Sequence, residues 1–426
     1  MGDGSIIGYD LNDRYCQISF YNEELQEPQT LETATENYQI PLILNYSEKS
    51  WHYGKEAKRL EAKRKGHSVS GLLGKCLSQE KILIGKETYE PVWLLAKFIE
   101  MSLEPFEKIE AITFSVPDMS VDIVKILKGI AQRMKVDKRH TYVQDYKESF
   151  CQYMFYQPKE LWQYESALFY CDKRQVKAYM LRRLQPKITH AQEFVTVDKV
   201  ASAKMRELEA VYPVLNVDKA KDADTCFLNF IESVFEKKLI SSVYLTGEGF
   251  DNNWYPHSLR FLCNGRRAFI GNNLYSKGAC YATYRRYKQY TGGPIYMDDT
   301  KMTDQISIRV RAESEEKWEP IVTWGSHWYE SDGEWELIVD DSQEMELLIE
   351  PLSGGEKEIL KVPLDIFPKR KNYSVRIQLK LLFMDEQTCK IMISDMGFGD
   401  FFASSGYEIE QVIHLGGSNG QFNSLS

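Results

Sequence analysis

Residues 6–19 read I-I-G-Y-D-L-N-D-R-Y-C-Q-I-S. Apolar and β-branched residues on both sides of a short polar turn predict two strands joined as a hairpin. The stretch 167–181, with A-L-F-Y-C, a polar turn and V-K-A-Y-M-L, reads as another hairpin. Between and after the hairpins the period changes. Y-E-P-V-W-L-L-A-K-F-I-E-M-S-L at 89–103 and D-I-V-K-I-L-K-G-I-A-Q-R-M at 122–134 carry apolar residues at helical spacing. Pro91 suits the first turn of its helix. A-I-T-F-S-V-P at 111–117, Y-V-Q-D at 142–145 and V-Y-L-T-G-E-G at 243–249 read as single strands, the last running into a glycine turn. Strands alternating with helices predict an α/β domain.

Past T-G-G-P at 291–294 the pattern turns strictly alternating, in I-S-I-R-V-R from 306, W-E-L-I-V from 335, M-E-L-L-I-E from 345, V-R-I-Q-L-K-L-L-F from 375 and C-K-I-M-I-S-D from 389. That is the signature of an antiparallel β-domain. The expected organisation is an α/β domain over 1–295, a β-sandwich over 296–405 and a tail over 406–426. The tail ends in a glycine-rich polar stretch expected to be disordered. No internal repeat is visible.

The chain has 426 residues, 43% of them hydrophobic and 27% charged, with a formal net charge of −9. An acidic balance argues against nucleic acid as the partner, since phosphates are met by a basic face. No apolar run of membrane-spanning length occurs, and the N-terminus lacks the blocks of a signal peptide. The eight cysteines are scattered with no C-x-x-C pair, which predicts reduced thiols and a cytoplasmic location. The seven histidines show no metal-ligand spacing.

The order of landmarks resembles the 70-kilodalton heat-shock chaperones, whose nucleotide-binding domain belongs to the actin-like ATPase superfamily. Q-I-P-L-I-L-N-Y at 39–46, Y-G-K-E-A-K-R at 53–59, S-V-S-G-L-L-G-K at 68–75, I-T-F-S-V-P at 112–117 and F-I-G-N-N-L-Y-S-K-G-A at 269–279 are similar to successive motifs of that family. The segment 68–75 matches a family helix. The strands after 300 resemble the family's peptide-binding β-sandwich, without its helical lid. The resemblance implies a two-lobed actin-like (ribonuclease H-like) domain followed by an antiparallel β-sandwich. It also implies ATP or ADP with magnesium as cofactor, and a protein or peptide partner held by the sandwich.

The residues that would do the chemistry are mostly replaced. Triphosphates are gripped by glycine-rich hairpins whose amides approach the phosphates closely. In the first such loop only Asp10 and Leu11 match, and Asn12 and Asp13 stand where the family has a glycine and a threonine. Asp13 is expected to set a carboxylate against the phosphates. Ser70 aligns with the catalytic lysine. The second loop aligns with Tyr170–Gln175, which has no glycine, and Asp145 aligns with the acid of a connecting motif. Gly247, Glu248 and Gly249 represent the adenosine motif, and the helix that clasps adenine has no clear counterpart in 199–240. The nucleotide-facing candidates are therefore Asp10, Asn12, Asp13, Asp145, Gly247, Glu248 and Gly249, each set against a plain turn or capping role. Gly271 and Gly278 are expected to be structural. The basic run 55–65 reads as a solvated helix face, and Lys173 and Arg174 as hairpin-tip charges.

Four tryptophans fall within W-E-P-I-V-T-W-G-S-H-W-Y-E-S-D-G-E-W at 318–335. In a strand, Trp324 and Trp328 share one face, either filling the sandwich core or forming an aromatic platform for a partner. The functional expectation is a chaperone-like pseudo-ATPase acting as an interaction or scaffolding module, with nucleotide binding residual at most. The alternative is an ATPase that couples nucleotide state to peptide binding. A small-molecule kinase of the same superfamily ranks third, because it leaves the sandwich unexplained.

Overall fold

The computed structural model describes residues 4–33, 38–172, 174–184, 193–205, 217–250, 253–271, 273–290, 292–312, 315–339, 344–368, 375–399 and 401–416. Two compact units divide the chain. The first comprises Met1–Arg183 and Val195–Pro294, the second Leu184–Phe194 and Ile295–Ser426. The chain is α/β with mixed sheets in its first part and antiparallel sheets in its last.

The first unit is built on two sheets with the same plan. One runs in the order Thr141–Asp145, Ile109–Val116, Ser5–Leu11, Tyr15–Asn22, Glu27–Thr30. Ser5–Leu11 is antiparallel to its hairpin partner Tyr15–Asn22 and parallel to Ile109–Val116, which is parallel to Thr141–Asp145. The other sheet places Arg267–Ile270, Ile240–Thr246, Glu165–Cys171, Gln175–Leu184 and Phe194–Lys204 in that order. Glu165–Cys171 is again antiparallel to the strand after it and parallel to Ile240–Thr246, which is parallel to Arg267–Ile270. The intervening helices correspond as well. Val121–Arg133 and Pro256–Leu262 link the parallel strands, and Tyr146–Phe155 and Leu274–Tyr287 follow the last strand of each sheet. The unit is thus a structural duplication that the sequence, read for repeats, conceals. The two halves share strand order and pairing direction, not residue identities.

Those two last helices cross, and glycines set the closeness of the crossing. A Cβ on Gly278 would lie 1.9 Å from the carbonyl oxygen of Ser149, and one on Gly8 would lie 2.2 Å from backbone atoms of Ser276 and Cys280. The helix Leu274–Tyr287 therefore lies directly on the first sheet, as Gly278 in its structural reading requires. Around the crossing, buried polar groups satisfy one another. Ser115 and Ser149 hydroxyls are 2.6 Å apart, Gln144 donates to Ser149 Oγ at 2.8 Å, and Arg286 donates to the buried Glu148 carboxylate at 2.7 Å.

Between Thr30 and Ile109 lies a small accessory region, with strands Ile43–Ser47, Ser50–Tyr53 and His67–Ser70 in one sheet and the hairpin Ile82–Ile84/Glu87–Tyr89. The segment 68–75, expected as one helix, is a strand to Ser70 and a helix only from Leu72 to Ser78, because Gly71 takes a left-handed conformation between them (φ 65°). The run 55–65 does carry a helix, Gly54–Ala62, on which Glu56 and Arg59 pair across one turn.

The second unit holds two four-stranded sheets. One orders Glu315–Val322, Asp304–Ala312, Glu344–Pro351, Glu358–Pro363, the other Gly333–Val339, Val375–Phe383, Thr388–Asp395, Glu408–His414. All the pairings between these neighbours are antiparallel. Alternate residues from both sheets, among them Ile306, Leu347, Ile377, Leu379 and Ile391, form one buried core, the sandwich arrangement. The strand Glu408–His414 extends the sandwich past residue 405, into the segment expected as tail. Residues 417–426 lie outside the described residues. The outer faces carry cross-strand ion pairs, such as Arg309 with Glu346 and Lys390 with Glu410, so both face water.

Candidate functional site

The sequence-derived candidates gather where strands of the two sheets in the first unit end. Asp10 is the penultimate residue of Ser5–Leu11, Asp145 closes Thr141–Asp145, and Gly247 follows Ile240–Thr246. Carboxyl ends of parallel strands are where α/β folds place ligands. The side chains there have, however, turned to one another.

Asn12 Oδ1 accepts from the amides of Arg14 (2.9 Å) and Tyr15 (3.1 Å). In the other hairpin Asp172 Oδ1 accepts from the amides of Arg174 and Gln175, both at 2.8 Å. The backbone closes alike in both, Asn12 N–H to Tyr15 at 3.2 Å and Asp172 N–H to Gln175 at 3.1 Å. Each turn supplies its own oxygen acceptor to two of its own amides. Lys173 lies outside the described residues.

Asp13 is engaged by a local partner. Its Oδ1 accepts from the amide of Gly74 at 2.9 Å, in the first turn of the helix Leu72–Ser78, where a carboxylate complements free amides. Asp145 caps the helix Tyr146–Phe155 by accepting from the Glu148 amide at 2.8 Å, with Lys147 Nζ 3.5 Å from its other oxygen. Ser70 offers its carbonyl to Lys75 Nζ at 3.0 Å. Gly247 and Gly249 use their missing side chains to approach the second hairpin. A Cβ on either would come within 2.3 Å of Cys171, at its carbonyl oxygen and its Sγ respectively. Glu248 between them forms an ion pair with Arg14 of the first hairpin, so the two hairpin regions are bridged.

Near these turns stand three tyrosines, of which sequence reading named only Tyr170. Tyr146 stacks face to face on Tyr275 (centroids 3.8 Å apart, planes within 8°), and Tyr170 lies 6.5 Å from Tyr146. Tyr146 donates its hydroxyl to Asp10 Oδ1 at 2.6 Å and accepts from Asn12 Nδ2 at 3.1 Å. Asp10 is fully buried, and burial pushes its carboxyl up to about 7, against the opposing effect of the Tyr146 hydroxyl. Burial likewise raises the phenols of Tyr146 and Tyr275 well above their ordinary range. Near the glycine turn, Trp254 donates to the Gly249 carbonyl at 2.8 Å and packs with Phe250 and Tyr255 in the core. Among the described residues no group of His, Cys, Asp and Glu has metal-holding geometry.

Residues 27–299 match the family described as "Family of unknown function (DUF5716) C-terminal". The chain belongs to that family. Residues 301–415 of this DUF5716 member match the "Domain of unknown function (DUF8552)", and no curated protein matches the chain. Among its described residues no helix is long and apolar enough to cross a membrane.

In the second unit of the DUF5716 member, Trp324 and Trp328 do not lie on a strand. Glu315–Val322 ends before them, Gly325 turns the chain (φ 77°), and Trp328 begins a short 3-10 helix. Trp324 is half-buried beside Phe194, Met297 and Leu352 and donates to the Glu350 carbonyl at 2.9 Å. Trp328 is half-buried against the sandwich core. The exposed aromatics lie elsewhere, in the loop that leaves Thr388–Asp395. Phe401 is 88% exposed and Phe402 43% exposed. Asp395 fixes this loop by accepting from the amides of Gly397 and Ser405, and Phe398 N–H bonds the Phe402 carbonyl at 2.7 Å.

Proposed function

We propose that this chain is a chaperone-like pseudo-ATPase, an actin-like unit that does no phosphoryl chemistry joined to a β-sandwich that engages a protein partner. One observation carries the reading. The hairpin amides that would grip phosphate are already bonded to Asn12 and Asp172. A triphosphate would displace these acceptors, one of them a carboxylate, break Arg14–Glu248 and expel the Tyr146–Tyr275 stack. The actin-like assignment is supported by the duplicated sheet order and the crossing of the paired helices. A cytoplasmic location is supported by eight free cysteines, six of them buried.

For the partner, the solvated outer faces of the sandwich leave its edges and loops. The fixed loop with Phe401 and Phe402 suits an anchor better than the half-buried Trp324 and Trp328, because exposed aromatics on a rigid support bind at small entropic cost. Titration calorimetry with ATP, ADP and adenosine in the presence of magnesium, with phosphate release followed alongside, tests the first half. No saturable heat and no release are expected. ATP binding tighter than adenosine, or turnover abolished by Asp10→Asn, overturns it.

A further inference from the structure

The Asp10 side chain does something besides accept from Tyr146. Its Oδ2 is buried with no hydrogen-bond partner, and so are both ends of the Gln17 amide, Oε1 and Nε2. These are not distant accidents. Asp10 and Gln17 stand directly opposite in the antiparallel pair, so their side chains leave the hairpin on the same face, close enough to meet. On that face the next pair is Gly8 with Ser19, and Ser19 Oγ reaches Ser276 Oγ of the covering helix at 2.8 Å. The orphaned atoms thus lie under the helix Leu274–Tyr287, beside the Tyr146–Tyr275 stack.

An ionised Asp10 leaves Oδ2 a buried acceptor with no donor on it. It also leaves a buried charge. A proton on Oδ2 turns that atom into a donor, with the unmet Gln17 Oε1 as its cross-strand acceptor, and removes the charge. The titratable groups facing Asp10 are Tyr15 of the opposite strand, Tyr146, Tyr275 of the covering helix, and Tyr170 of the second hairpin, while Cys16 pairs with Leu11 and leaves the other face. The parallel neighbour contributes Ser115, Asp145 is committed to its helix cap, and Arg14 is turned to Glu248. None of the groups facing Asp10 offers a positive charge to hold a carboxylate.

We infer that Asp10 is a neutral acid whose Oδ2–H donates to Gln17 Oε1, and that this proton latches the Tyr146–Tyr275 stack, which plugs the space beside the first hairpin. The single chemical step is loss of that proton from Oδ2 to solvent. The carboxylate it leaves is stabilised only if water enters beside the tyrosine stack, which opens the plug. Asp10 in the open state titrates as an ordinary aspartate, whereas in the closed state it titrates near 7. Opening therefore becomes easier as pH rises from about 4 to about 7 and levels off above that, about tenfold per pH unit within the window.

Hydrogen exchange of the full chain, corrected for intrinsic rates, tests this over segments 8–18 and 146–150. In the wild type, protection is expected to fall across that window by up to about a thousandfold and then level off. Asp10→Asn keeps the shape and removes the titration, so its profile is expected to be flat. Tyr146→Phe removes a donor that favours the carboxylate, so the plateau is expected at a higher pH. A flat wild-type profile, the same slope in Asp10→Asn, or a plateau moved to lower pH in Tyr146→Phe each overturns the latch. Should Asp10→Asn not fold, carbon NMR of the aspartate carboxyls in the wild type decides. A buried aspartate titrating near neutrality supports the inference, and every aspartate ionised at mildly acid pH overturns it.

Discussion

Gly278→Ala is the sharpest test of the helix crossing. An alanine Cβ at this position would lie 1.9 Å from the Ser149 oxygen and 2.7 Å from its carbonyl carbon, whereas real Cβ contacts essentially never fall under 3.0 Å. The helices must separate by at least 3.0 − 1.9 = 1.1 Å at that point. The obstacle is backbone, so no side chain can swing aside. Overpacking of this kind costs about 1–3 kcal/mol. A displacement of that size also pulls on the 2.7 Å Arg286–Glu148 contact, and loss of a charge-assisted bond to the buried Glu148 would add about 1.5–3 kcal/mol. Against this stands a gain of about 1 kcal/mol from replacing glycine by alanine inside a helix. The expected net loss is about 1.5–5 kcal/mol. Gly129→Ala is the internal control. It sits in the helix Val121–Arg133 with nothing within 4 Å of an added Cβ, so only the helix gain remains, about 1 kcal/mol of stabilisation. Urea unfolding followed by fluorescence and circular dichroism measures both. A Gly278→Ala protein as stable as the wild type, or as stable as Gly129→Ala, refutes the crossing as described.

Three further outcomes are expected. Raising the Asp10 carboxyl from 3.8 to about 7 costs the folded state stability as pH rises between those values, up to about 4 kcal/mol at neutral pH. Asp10→Asn is therefore expected to stabilise the protein at pH 7 and hardly at all near pH 4, and pH-dependent urea midpoints measure it. Asp224, buried in the helix Val217–Phe235, accepts from the amides of His257 and Ser258 and from the Ser258 hydroxyl. Asp224→Ala leaves these donors unmet at the start of the helix Pro256–Leu262, for an expected loss of about 2–4 kcal/mol in the same assay. Phe401→Ser is expected to leave the melting temperature unchanged while abolishing capture of a protein partner, whereas Trp328→Ala, by removing a ring from the core margin, is expected to lower the melting temperature.

Alternation of residue type made both hairpins, the parallel strands and the sandwich legible in the sequence, since burial on one or two faces imposes it. Proline at residue 91 marked a helix start for the same local reason. Interactions between distant segments were not legible. Nothing near Tyr146 or Tyr275 announces that the rings meet, and nothing in N-D-R-Y or D-K-R-Q announces that the two turns close alike. The tryptophan segment misled for a definable reason. Period two holds only while the chain stays extended, and Gly325 bends it, packed where a Cβ would strike Ile295. The partner of Asp13 was not legible either, because aligned position fixes where a residue begins, while the amide of Gly74 is presented by a segment that sequence reading took for a single helix.

The second unit is discontinuous along the chain, and that bears on how it can be handled. Phe194 packs with Met297 and Leu352, and the amide of Ile295 donates to the Glu193 carbonyl at 2.8 Å. A polypeptide begun at residue 295, the obvious place to cut by pattern alone, would carry away the sandwich without its own Phe194. The loss would expose apolar surface on Met297 and Leu352 and loosen the seat of Trp324. Excision for study or for grafting has to retain the 184–194 segment, by a linker or a permuted order of the chain.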